Sequence, residues 1–247
     1  MDGGGGRLPA SPRAQTGVFL VQDYLSRFFG RPKPDGLWRH PGFLRLWAAQ
    51  TVSGVGSQVT IVALPLLAAI ELDASPGEMG LLAATGTVPS LLIGLFTGVW
   101  VDRLRRGPLL VFADLARVAL LFLVPVAWAA GWLGMGLLYA VSFGVGSLTV
   151  VFEVAALSLL PALVGRGRPV EANEKLEASR SLAQIGGPGI AGGLVGAVGA
   201  PLAVLLDAVS YLVSAAFLVR LGATEEASSG YANGPRHVRR EMPRPGA

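Results

Sequence analysis

Cysteine is absent from all 247 residues, which excludes disulfides and thiolate metal sites and leaves the redox compartment unread. Histidine occurs twice, as His40 and His237. Both stand outside the long apolar runs, so neither a catalytic histidine nor a histidine metal site is expected inside them. The only lysines, Lys33 and Lys175, do not follow glycine. A phosphate-binding GxxxxGK loop, and an ATP-driven pump with it, is therefore excluded. With no reactive constellation left, neither an enzyme nor a cofactor is expected. Charge is scarce as well, at 15% of residues against 52% hydrophobic, where soluble domains carry about 25%.

The scarcity is patterned. Charge-free stretches of at least about 20 residues, the length that crosses the hydrocarbon core, run through Leu46 to Ile70, Met79 to Val101, Val118 to Phe152 and Ser181 to Leu206. The third is too long for one crossing and breaks at Ala130-Gly131-Trp132-Leu133-Gly134, with Trp128 and Trp132 suited to the interface. The fourth breaks between Gly196 and Pro201. Six spans are expected: 46–70, 79–101, 108–130, 136–160, 179–198 and 201–220.

The net charge of +4 raises a nucleic-acid reading, and the placement of the basic residues argues against it. Seven of the 20 Lys and Arg precede the first span. Arg103, Arg105 and Arg106 follow the second, Arg166, Arg168, Lys175 and Arg180 follow the fourth, and five stand at or after the end of the sixth. The loops after the first, third and fifth spans have none, and only Arg117 lies inside a span. This is the positive-inside pattern of a multi-pass membrane protein with both termini cytoplasmic. A nucleic-acid module gathers its arginines on one folded surface instead. Residues 1–42 read as a cytoplasmic leader in which Gln15 to Gly30 is either a short interfacial helix or a loosely ordered stretch. Residues 43–221 hold the spans. Residues 222–247, rich in Gly, Pro, Ser and Arg, read as a disordered cytoplasmic tail.

A short repeat supports a two-part organisation. Pro108-Leu109-Leu110-Val111-Phe112-Ala113-Asp114 opens the third span and Pro201-Leu202-Ala203-Val204-Leu205-Leu206-Asp207 the sixth, both fitting PLxVxxD. Three spans per unit put the second unit into the membrane from the opposite side, an inverted repeat. The fold class expected is an all-α integral membrane protein of six transmembrane helices in two inverted three-helix repeats. Gly94 with Gly98 and Gly189 with Gly193 form small-xxx-small pairs that suit close helix packing. Gly187, Pro188 and Gly192 weaken the middle of the fifth span, where either a hinge or a static kink is expected.

Between the second and third spans stands GVWVDRLRRGP, residues 98–108. Arginines alone suffice to set topology, and leave Asp102 and the glycine one turn before it unexplained. This loop resembles the signature GxxxDRxGRR of the major facilitator superfamily, matched at Gly98, Asp102, Arg103 and Arg106, with Arg105 and Gly107 departing from it. The resemblance covers about Phe43 to Leu221. The wording of "VDRLRRGPLLVFADLAR" and "GAPLAVLLDAVSYLVSA" is similar to the branch of enterobactin-exporter-like and macrolide-efflux-like permeases. It implies the amino-terminal six-helix half of a facilitator fold, with Asp102, Arg103 and Arg106 in a network that gates the outward-facing state. Two features depart from proton-driven antiporters. The fourth span has Glu153 and no embedded arginine, and the GPxxGG pattern of the fifth is kept only at Gly187, Pro188 and Gly192, with Ala191 in place of a glycine.

Charges inside a bilayer cost about 2.5–3.5 kcal/mol each on insertion scales and are functional candidates. Asp114, Arg117, Glu153 and, at the start of the fifth span, Arg180 lie at similar depth, roughly 9–14 Å from the cytoplasmic side for the first two. One compensated cluster is expected, either as a structural ion-pair network or with Glu153 or Asp114 carrying a coupling proton. Asp207, nearer the outer side, is protonated, hydrogen-bonded to Ser210 or Ser214, or exposed to a cavity. Gln50, Ser53, Ser57 and Gln58 on the first span are candidates for cavity lining, or for hydrogen bonds between helices.

The resemblance implies a secondary transporter exporting small amphipathic molecules, with the lipid bilayer of a bacterial plasma membrane as surroundings and a second six-helix half either missing by truncation or supplied by another copy. A non-transporting membrane scaffold, or a half-transporter subunit, is the alternative.

Overall fold

The computed structural model describes residues 37–101, 105–165 and 168–232, with the side chains of 94–101 and 222–232 left aside. The leader to residue 36, Asp102, Arg103 and the tail from residue 233 lie outside the described residues. Gly98 falls within a helix whose surroundings there are not described.

Among the described residues a single 3₁₀ turn, Leu37–Arg39, leads into six helices: α1 Pro41–Glu71, α2 Pro76–Val101, α3 Arg106–Ala129, α4 Met135–Val164, α5 Pro169–Val198 and α6 Ala200–Ala232. No strand occurs among the described residues. By length and apolarity α1, α3, α4, α5 and the part of α6 up to Leu221 suffice to cross a membrane. Large side chains such as Leu91, Phe112 and Ile185 are exposed, the last at 81%. An outer surface of that kind is stable in lipid and not in water.

The helix ends follow from local chemistry. Pro41 occupies the first turn of α1, where its missing amide hydrogen costs nothing, and the ring Nδ1 of His40 accepts from the amide of Phe43 at 3.3 Å. Ser75 and Glu78 close a capping box on α2: the Ser75 amide donates to the Glu78 carboxylate at 2.8 Å, and the Glu78 amide to the Ser75 hydroxyl at 3.4 Å. Helices α4 and α5 stop at Gly165 (φ 74°) and Gly199 (φ 83°), backbone conformations that glycine adopts without Cβ strain.

Two expectations are corrected. The fifth helix starts at Pro169, well before residue 179. Its first turns carry Glu171, Glu174, Lys175 and Glu177, which interrupt a charge-free search while favouring helix. Lys175 is thus a helical residue rather than a loop one, and it pairs with Glu171 one turn earlier at 3.8 Å. The sixth helix runs on to Ala232, through the helix-forming Ala223-Thr224-Glu225-Glu226-Ala227, where disorder was expected from residue 222.

Helix α1 packs on α6 and α5, α4 on α2 and α3, and α3 on α6. Close approaches are made at Gly146 against Gly86 and at Gly144 against Leu120. A Cβ added at Gly189 or Gly193 would meet nothing within 4 Å among the described residues, so that small-residue pair lies on an open face rather than at a helix contact. The interior divides into two apolar clusters. One includes Leu67, Leu121, Val124, Leu138 and Tyr211; the other includes Phe43, Leu46, Leu110, Phe152 and Leu218. Between them lies a buried polar band of Ser53, Asp114, Arg117 and Ser214.

Candidate functional site

The polar band is built where α3 crosses α6. Asp114 and Arg117 are one turn apart on α3, which places them on one face, and the Arg117 guanidinium meets the Asp114 carboxylate at 2.7 Å. The other carboxylate oxygen accepts from the Ser214 hydroxyl of α6 at 2.6 Å. Arg117 also donates to the Ala113 carbonyl. Its guanidinium carbon stands 4.5 Å from the centre of the Phe152 ring and 4.3 Å from that of Tyr211, one ring from each apolar cluster. A buried cation is tolerable only with such compensation: a carboxylate, a carbonyl and two aromatic faces.

Asp207 lies on α6, fully buried. It accepts from the Thr60 hydroxyl of α1 at 2.5 Å and from Ser210 at 2.9 Å. Ser214 serves Asp114 instead, because it is two turns further along α6, level with the band. Burial also removes Asp207 from any cavity wall. Gly56 permits this arrangement, since a Cβ there would collide with Ser210 and Asp207. Next to it the Ser57 hydroxyl bonds Tyr211 at 2.7 Å.

Beside the band a cavity of about 200 Å³ opens between α1, α4 and α5. Gln50, Ser53, Ser57 and Gln58 of α1 all line it. Arg117, Glu153 and Arg180 line it too, joined by Gln184. Glu153 of α4 and Arg180 of α5 pair across it at 3.1 Å, both somewhat over 40% exposed. The four charges therefore form two pairs: Asp114 with Arg117, buried with only the arginine reaching the cavity wall, and Glu153 with Arg180, facing the cavity. Gln58 packs on Gly187, while α5 remains one helix through Pro188 to Val198. Gly192 has open space beside it. Of the gating-loop residues only Arg106 has a described side chain, and it donates to the Ser158 carbonyl of α4 at 2.7 Å. No cluster of His, Asp or Glu suited to a metal occurs among the described residues.

Residue-type reasoning missed Phe152 and Tyr211, since aromatics in an apolar run read as core, and Gln184, which follows the charged start of α5. For Tyr211 a signal existed: it falls one turn after Asp207, on the same helical face.

A family model described as Major Facilitator Superfamily matches residues 46–242. The chain belongs to that superfamily. Among superfamily relatives, the multidrug efflux pump Tap of Mycolicibacterium fortuitum is 33% identical over 170 residues, covering 65% of this chain and 40% of the relative. Tap of Mycobacterium bovis is 31% identical over 186 residues, covering 71% and 43%. The uncharacterized MFS-type transporter YfiS of Bacillus subtilis is 34% identical over 76 residues, covering 31% and 18%. The chain thus spans less than half the length of these relatives. No solved structure matches. Superfamily membership and the apolar helices make this a multi-pass membrane protein.

Proposed function

We propose that the chain is one six-helix half of a secondary transporter that exports small amphipathic molecules, and that the cavity between α1, α4 and α5 is its half of the substrate site. The observation that carries this reading is the cavity itself: in a chain with so little charge, it gathers Arg117, Glu153, Arg180 and three glutamines in one place. The efflux direction rests on the relatives named as multidrug efflux pumps. A second six-helix unit, from further chain or from another copy, would close the open side of the cavity, as the greater length of those relatives suggests.

The inverted repeat is supported by packing. Exchanging α1 with α4, α2 with α5 and α3 with α6 turns the α1–α5 contact into α4–α2 and the α1–α6 contact into α4–α3, and leaves α3–α6 on itself; all these contacts are present. The two acids of the PLxVxxD motif are each bound by the residue three positions on, Asp114 by Arg117 and Asp207 by Ser210. With cytoplasmic termini, the gating loop of Asp102, Arg103 and Arg106 faces the cytoplasm. Glu153, exposed in the cavity, is the group best placed to exchange a proton, with Asp114 sealed behind Arg117.

Proteoliposomes bearing the chain, tested with fluorescent amphipathic dyes under an imposed proton gradient, examine the reading directly. Saturable, gradient-dependent dye movement that falls at least about tenfold in Glu153→Gln supports it. Movement no faster than in protein-free vesicles, both for the chain alone and for the chain extended by a second six-helix half, contradicts it.

A further inference from the structure

A second cavity, of about 340 Å³, opens beside the first between α1 and α5. Trp47, Val55, Leu182 and Ile190 give it an apolar wall, and Thr51, Ser179 and Ala183 line both cavities. The two volumes therefore meet along one strip of α1 and α5. Pockets for small molecules span about 300–1,000 Å³. The polar cavity alone falls below that range, and the two together fall within it.

The strip and its surroundings carry unused binding capacity. The Thr51 hydroxyl oxygen is buried without a hydrogen-bond partner, a state that costs stability until an acceptor or donor arrives. Its neighbour Ser179 is already satisfied, accepting from the Trp47 indole at 2.8 Å and donating to the Lys175 carbonyl at 3.1 Å. On the apolar side, a Cβ on Gly186 would meet nothing within 4 Å, so α5 presents bare backbone to the space. On the polar side the charges are spoken for, Glu153 by Arg180 and Arg117 by Asp114. The carboxamides of Gln50, Gln58 and Gln184 are the groups there without a hydrogen bond among the described residues.

We propose that the two cavities form one bipartite site for an amphipath with a neutral polyol head among the three glutamines and a linear apolar tail in the annex between α1 and α5, held at the join by Thr51. The choice of ligand rests on the transport reading above; the binding itself is testable without transport.

The test uses the full chain in nanodiscs with Trp47 as the sole tryptophan, the others replaced by Phe, titrated with an alkyl glucoside brominated on its tail. Saturable quenching of Trp47 is expected, weakened at least about tenfold in Gly186→Leu, which fills the annex, and about fivefold in Thr51→Val, which removes one hydrogen bond. Methyl glucoside, lacking the tail, is expected neither to quench nor to compete. Thr51→Val keeps the shape of the side chain, so it decides the matter if Gly186→Leu fails to fold. Quenching that rises linearly with probe and is equal in both variants places the bromine in the surrounding lipid and overturns the proposal. Variant-sensitive binding without dye transport, also when a second six-helix half is supplied, would sink the transport reading and leave this site standing; transport without variant-sensitive binding would do the reverse.

Discussion

Arg117 is the residue whose surroundings are most completely specified. Removing one member of a buried ion pair leaves the other charge uncompensated, at about 3–5 kcal/mol, whereas removing both charges together is far less costly. Arg117→Ala is therefore expected to lower the thermal unfolding midpoint sharply, and Asp114→Asn combined with Arg117→Gln to recover most of the loss; equal destabilisation by both would deny that the pair is buried. Gly56 and Gly54 make a second test, two residues apart on α1. An added methyl at Gly56 collides with Ser210 and Asp207, while at Gly54 it meets nothing within 4 Å. Gly56→Ala should cost about 1–3 kcal/mol by overpacking and Gly54→Ala should be neutral or stabilising by up to about 1 kcal/mol, as read from unfolding midpoints in detergent. At this scale the sequence exposed the charges, because charge in an apolar run stands out. It concealed their partners: nothing local in the chain ties Ser214 to Asp114, a hundred positions away, or stacks Phe152 on Arg117.

At the scale of the element, α5 carries the most. Pro188 has no amide hydrogen for the carbonyl of Gln184, a cavity residue, so one backbone bond is missing beside the proposed substrate site. Pro188→Ala supplies that bond; the expected outcome is a higher unfolding midpoint together with slower transport if the gap serves as a hinge, and a higher midpoint with unchanged transport if it is a static feature. The α2–α3 loop has its own test. Asp102→Asn is expected to impair dye movement at least about tenfold while membrane insertion stays near wild type, and wild-type rates in that variant would remove the gating role. The six helices were legible from apolar length and from the Gly and Pro breaks near residues 131 and 199. Their extensions beyond the apolar runs were not: α5 begins in a charged stretch with no long apolar run, where capping by Pro169 and i,i+4 pairing take over from hydrophobicity as the organising signals.

For the whole molecule, the central claim is that the chain crosses the bilayer six times and keeps its arginine-bearing loops on one side. The cavity, the inverted repeat and the gating loop all presuppose it, because an odd number of crossings between Arg105 and Arg168 would put the two halves of the cavity wall on inconsistent frames. The expected topology rests on the positive-inside bias, which is written in composition alone, while the pairing of α1 with α6 and of α2 with α4 depends on contacts far apart in sequence. The absence of cysteine makes the measurement direct: single cysteines at Arg105, Arg168, Gly77 and Ala130, probed in intact cells with a membrane-impermeant maleimide. The account predicts labelling from outside at Gly77→Cys and Ala130→Cys, and at Arg105→Cys and Arg168→Cys only after permeabilisation. Labelling of Arg105→Cys and Arg168→Cys from opposite sides of the membrane would contradict it.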